Sequence, residues 1–100
     1  MITMTKPLFE LGELVSTPGA LEAMQLSGQS SWDFLSRHVA GDWGIVDADD
    51  RQANDESLID GSRLLSAYLL NTGKKLWIIT EAVGDDGKRA STCLLLPEEY

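Results

Sequence analysis

The spacing of apolar positions changes character near residue 62. Before it, apolar residues recur at helical intervals. After it, they crowd into short runs rich in β-branched and aromatic types. Residues 1–7 read as a loose leader ending at Pro7, and residues 8–100 as a single domain. In Leu8 to Val15, Phe9, Leu11 and Val15 share one alternation phase while Leu8 and Leu14 take the other. That pattern predicts a short strand with Gly12 as a bulge, and a one-turn helix is the competing reading.

Three helices are predicted next. Thr17 can cap the first, and Pro18 stands at a position whose amide has no helical partner. Ala20, Leu21, Ala23, Met24 and Leu26 supply its apolar stripe, and Gly28 closes it. Ser30 caps the second, with Asp33 in its first turn, an apolar stripe at Trp32, Leu35 and Val39, and Arg37 and His38 near its carbonyl end. Gly41 ends it, and Gly41-Asp42-Trp43-Gly44 forms a tight turn. The third runs from Asp47-Ala48-Asp49-Asp50 to about Asp60, with Gly61 as its stop. Its apolar content is only Ala53, Leu58 and Ile59, so it belongs on the surface.

Arg63–Leu70, Leu76–Glu81 and Ser91–Leu96 read as strands, joined by a tight turn at Asn71-Thr72-Gly73-Lys74 and a longer polar turn over Gly84–Lys88. They carry apolar residues on both faces, whereas a sheet wet on one side alternates more cleanly. The architecture expected is therefore α+β: an N-terminal strand and helices followed by a three-stranded antiparallel meander. Helices cover one face. The third helix, the leader or a partner covers part of the other, which makes a homodimer a structural option.

Composition narrows the function classes. Eight Lys plus Arg against 16 Asp plus Glu give a net charge of −8 over 100 residues. Such a surface repels phosphate and disfavours direct nonspecific nucleic-acid binding; its natural partner is a protein with a basic surface. The single cysteine, Cys93, allows no internal disulfide and reads as a small buried hydrophobe rather than a nucleophile. No signal pattern or apolar run of about 20 residues is present, so no membrane association and a cytoplasmic setting are expected.

Several segments carry a resemblance. LFELGELVSTPGALEAM, FLSRHVAGDWG, DGSRLLSAYL, LWIITE and LLLPEEY resemble a family of small bacterial proteins found largely on plasmids and other mobile elements. The resemblance covers about residues 8–100, and Val83–Lys88 stands out from it as an insertion. It implies a mobile-element setting and brings no activity with it.

Candidate chemistry is sparse. No cofactor or metal is expected. His38 and Cys93 lack ligand spacing, and the Asp47-Asp49-Asp50 run departs from a calcium loop at Arg51, Gln52 and Leu58. No phosphate loop or nucleophile elbow occurs. A metal-independent ribonuclease of the barnase or RelE layout would use His38 as acid or base. Arg63 or Arg89 would hold the phosphate, with Ser66, Thr80 or Thr92 as hydrogen-bonding helpers. Arg37, Asp42 and Trp43 form either a structural turn or a recognition corner. Asp49, Glu56 and Asp60, spaced by seven and four, share a helical face that is either merely solvated or docks on a basic partner. The expectation is a noncatalytic binding protein, with the ribonuclease and a structural homo-oligomer as alternatives.

Overall fold

A computed structural model describes residues 7–100, so the expected leader lies, Pro7 apart, outside the described residues. The elements run β1 (Glu13–Ser16), α1 (Pro18–Ser27), α2 (Ser31–Val39), α3 (Ala48–Asp60), β2 (Leu64–Leu69), β3 (Lys75–Thr80) and β4 (Ser91–Leu95), then a 3-10 turn over Pro97–Glu99. The local signals explain the helix ends. The Thr17 hydroxyl accepts from the Ala20 amide at 3.2 Å, and the Asp47 carboxylate accepts from the Asp50 amide at 2.8 Å. The Ser30 amide donates to the Asp33 carboxylate at 2.9 Å. Gly28 and Gly61 close α1 and α3 in the left-handed conformation.

The sheet is mixed, which corrects the expectation of a purely antiparallel meander. Its order is β1-β4-β3-β2. The antiparallel pairs β2–β3 and β3–β4 are as expected, but β1 joins in parallel beside β4, Glu13 aligning with Ser91 and Ser16 with Leu94. The predicted strand from Leu8 to Val15 is also shorter in fact. Gly12 has φ +66°, and a Cβ there would stand 2.4 Å from the Arg89 carbonyl oxygen. The chain turns at this point, and only the residues after it pair with β4. Before it, Leu8 donates its amide to the Val39 carbonyl at 2.9 Å, and Phe9 stacks on Trp43 with centroids 6.2 Å apart.

Inward-facing residues of the sheet include Leu64, Tyr68, Leu76, Ile78 and Leu94, all buried. Tyr68, Leu76, Ile78 and Leu94 pack with Ala20, Ala23 and Met24 of α1 and with Phe34 and Leu35 of α2, while Leu64 packs in a second cluster with Trp43, Val46 and Ala67. Trp32, expected in the apolar stripe, is exposed, and the buried face of α2 is Phe34, Leu35, His38 and Val39. The outward face carries Leu65, Ala67 and Leu69, then Trp77 and Ile79, then Cys93 and Leu95. Its cover is the chain end: the Tyr100 ring meets Trp77 edge-on at 5.7 Å, and Arg63 Nη2 donates to the Tyr100 hydroxyl at 2.7 Å. Among the described residues, no helix is long and apolar enough to cross a membrane.

Candidate functional site

The third helix presents the acidic face. Asp49, Asp50, Asp55, Glu56 and Asp60 are all exposed. Two of them have local tasks: Asp55 Oδ1 accepts from the Trp43 indole N–H at 3.1 Å, and Asp60 Oδ1 accepts from the Ser62 amide at 2.8 Å. Hydrogen bonding by Ser62, through its hydroxyl first and its amide second, holds the Asp60 carboxyl below the usual carboxylate range. Among the described residues the only ion pair within 4.0 Å is Arg37–Asp42, so no α3 carboxylate is ion-paired at that distance with a described residue.

What seats this helix is polar. Its buried residues are Asn54 and Ser57. The Asn54 amide donates Nδ2–H to the Leu65 carbonyl at 2.6 Å and accepts the Leu65 N–H on Oδ1 at 3.0 Å. One side chain thus stands in for a neighbouring strand at the outer edge of β2. Of the three apolar residues expected in α3, Leu58 is half-buried and Ile59 is 90% exposed. Ile59 lies on a cleft of about 470 Å³ between the helix end and the β3–β4 loop, shared with Phe9, Leu58, Val83, Asp86 and Lys88. An exposed aliphatic side chain beside unpaired carboxylates is suited to a partner that brings both apolar and basic groups.

The Arg37-Asp42-Trp43 corner is a knot between elements. Arg37 Nε donates to Asp42 Oδ2 at 2.7 Å, which holds the Asp42 carboxyl low and the guanidinium high. The guanidinium lies over the Tyr68 ring, 4.6 Å from its centroid. The Tyr68 hydroxyl donates to the Asp42 carbonyl at 2.6 Å. Trp43 is 4% exposed and sits with Val46, Leu64 and Ala67 in the core. Only the Arg37 and Asp42 side chains of this corner face solvent, each about half exposed.

His38, Ser66, Thr80 and Thr92 come together, and all four are completely buried. His38 Nδ1 lies 2.5 Å from Ser66 Oγ, and Nε2 lies 2.8 Å from Thr80 Oγ1. Thr80 Oγ1 is 2.8 Å from Thr92 Oγ1, and Thr92 donates to the Leu11 carbonyl at 2.6 Å. Because a carbonyl only accepts, the direction of the whole row follows. Thr80 donates to Thr92, His38 Nε2–H to Thr80, and Ser66 O–H to Nδ1. Every polar atom is then satisfied with a neutral imidazole. Burial, aided by the nearby Arg89 cation, pushes the His38 pKa down to about 3.

The two arginines considered with His38 lie elsewhere in role. Arg63 engages Tyr100 on the outer sheet face. Arg89 is buried and donates to the carbonyls of Ser62 at 2.8 Å, Glu81 at 2.9 Å and Ser57 at 3.2 Å. Cys93 is half-buried, and burial pushes its thiol pKa up. Among the described residues, no group of three potential metal ligands occurs. No protein-family model, no curated protein and no solved structure matches the chain.

Proposed function

We propose that this chain is a small noncatalytic binding protein that docks on a basic protein surface through α3. The observation that carries the reading is the unpaired acidic face of that helix, with the exposed Ile59 and its cleft alongside. A helix clamped by Asn54 holds its charges in fixed positions, so docking costs little ordering. The resemblance to plasmid-borne proteins supports a mobile-element setting, and a host factor or defence complex whose basic face normally holds nucleic acid is a fitting target. The ribonuclease alternative has less support: His38 is sealed from solvent and neutral, and Arg89 spends its donors on backbone carbonyls.

The test is capture from the host by wild type and by the triple variant Asp49→Asn, Glu56→Gln, Asp60→Asn. The variant keeps the fold, because exposed charges contribute little stability. It should lose the captured partner, and wild-type capture should weaken as salt screens beyond a Debye length of roughly 8 Å. Undiminished capture by the triple variant rejects α3 as the docking face. RNA cleavage by the wild type that His38→Ala abolishes would replace binding with catalysis.

A further inference from the structure

Strand β1 ends the sheet, with β4 on one side and, among the described residues, no strand on the other. The Glu13 amide bonds the Ala90 carbonyl and the Thr17 amide bonds the Leu94 carbonyl, each at 3.0 Å. Backbone groups alternate sides along a strand, so Glu13, Val15 and Thr17 face β4 while Leu14 and Ser16 face away. Two N–H donors and two carbonyl acceptors therefore stand along the outer edge, and no backbone group of the described residues bonds them. The side chains alternate as well. Leu14 and Ser16 align with Thr92 and Leu94, which are buried on the helix side. There Leu14, Ser16, Leu21, Leu35 and Leu94 line a hollow of about 200 Å³. Leu14 and Leu21 stay 50% and 56% exposed, and Ser16 Oγ is buried without a hydrogen-bond partner. On the outward side, the strand register sets Arg63, Glu81, Ser91 and Glu13 in one row across the sheet. Arg63 stands opposite Glu81, whereas the exposed Glu13 ends the row with no described cation within 4.0 Å.

We propose that the open edge of β1 takes an extended, basic segment of another protein as an added strand, antiparallel to β1. Four main-chain bonds join Leu14 and Ser16 to the two residues opposite them, whose side chains point to the helix side. An aliphatic side chain opposite Leu14 fills the hollow, and a threonine opposite Ser16 brings a hydroxyl to the unpartnered Ser16 Oγ. A lysine opposite Glu13 supplies the cation that the outward row lacks, and a lysine stem opposite Val15 covers its methyl groups. A second copy of this chain does not meet these demands. Two β1 edges that keep helix side with helix side and satisfy all four backbone groups set Leu14 against Ser16 of the other copy, and Glu13 against Thr17. No cation then reaches Glu13, Ser16 Oγ meets a leucine, and two chains of charge −8 are brought together. Strands β1 and β2 are the two ends of the sheet, and α3 is seated at β2. The added-strand site and the acidic helix are therefore separate surfaces, and neither proposal depends on the other.

The probe is the end-capped peptide Lys-Thr-Lys-Val-Lys, added to the full chain at about 150 mM salt, where general attraction to an acidic protein is screened. The readout is solvent exchange of the Leu14 and Ser16 amides by NMR. Both should exchange as open amides in the free chain. A dissociation constant of about 1 mM slows them about threefold at about 2 mM peptide, while the Glu13 and Val15 amides, already bonded to β4, should change little. Methylating the threonine and valine amides of the peptide, which face β1, should abolish the effect. Methylating the central lysine amide, which faces away, should spare it. The peptide Glu-Thr-Glu-Val-Glu should bind at least about fivefold more weakly. Leu14→Pro removes one edge donor and leaves the ladder to β4 intact. Ser16 should then lose its protection, with circular dichroism confirming the fold. The triple α3 variant should bind the peptide as the wild type does. The proposal is overturned if the Leu14 and Ser16 amides are protected before peptide is added, since the edge is then already filled. It is equally overturned if the peptide slows neither amide, if both methylated peptides act alike, or if the triple α3 variant loses the effect.

Discussion

At His38 a protonation preference becomes a stability term. The imidazole is neutral in the folded chain down to about pH 3, against 6.5 in the absence of burial. Below pH 6.5 the unfolded chain takes up a proton that the folded chain refuses. Stability therefore falls by about 1.4 kcal/mol for each pH unit between 6.5 and 3, and is fully present above 6.5. Denaturant titrations should show a loss of about 2 kcal/mol between pH 6.5 and pH 5, a range where carboxylates contribute little. His38→Gln, which keeps a donor toward Thr80, should remove most of that slope. An unchanged slope in the variant would mean that the imidazole is not the group responsible. The sequence pointed to His38, Ser66, Thr80 and Thr92 by chemical type. It did not show that they touch, because the row joins positions 28, 42 and 12 residues apart. Asn54 left no signal at all: an amide in a polar helix looks solvated, and only the position of Leu65 makes it a clamp.

Elements are where the sequence was most readable, since their ends depend on neighbours along the chain. Thr17, Asp47, Gly28 and Gly61 mark helix limits through contacts within a few residues. Alternation crosses Gly12 without a break and so predicts a longer β1, while the bend itself is set by a tertiary contact, the backbone at Gly12 lying against the Arg89 carbonyl. Two glycines separate local from tertiary demands. Gly73 has φ +91° with open space around it, whereas a Cβ at Gly44, φ +76°, would fall 1.9 Å from the Ala67 carbonyl oxygen. Gly73→Ala should cost about 1 kcal/mol, the backbone term alone. Gly44→Ala should cost at least about 3 kcal/mol, because it also pushes the Trp43–Ile45 segment off β2. Thermal or denaturant unfolding of the pair checks this, and equal losses would show that the contact at Ala67 can relax.

For the whole molecule, strand order was the least legible property. A parallel partner for β1 lies 78 residues away at Ser91, and nothing in either segment names the other. Net charge acts at this scale too. At −8 the folded chain repels itself more than the expanded one does, so the melting temperature should rise as salt goes from about 10 to about 150 mM. A flat or falling response would place the repulsion mainly in the unfolded chain. One feature of the sheet limits what misassembly can do. The outer edge of β2 is occupied by the Asn54 amide, and the Ile45 amide bonds the Ala67 carbonyl at 2.7 Å beside it. The outer edge of β1 has no strand beside it among the described residues. A sheet that can be extended from one side only is a chain terminator: strand-to-strand addition stops once two such edges meet. Open-ended strand-by-strand growth of folded chains, which needs a fresh edge after every addition, is closed for as long as Asn54 holds its place.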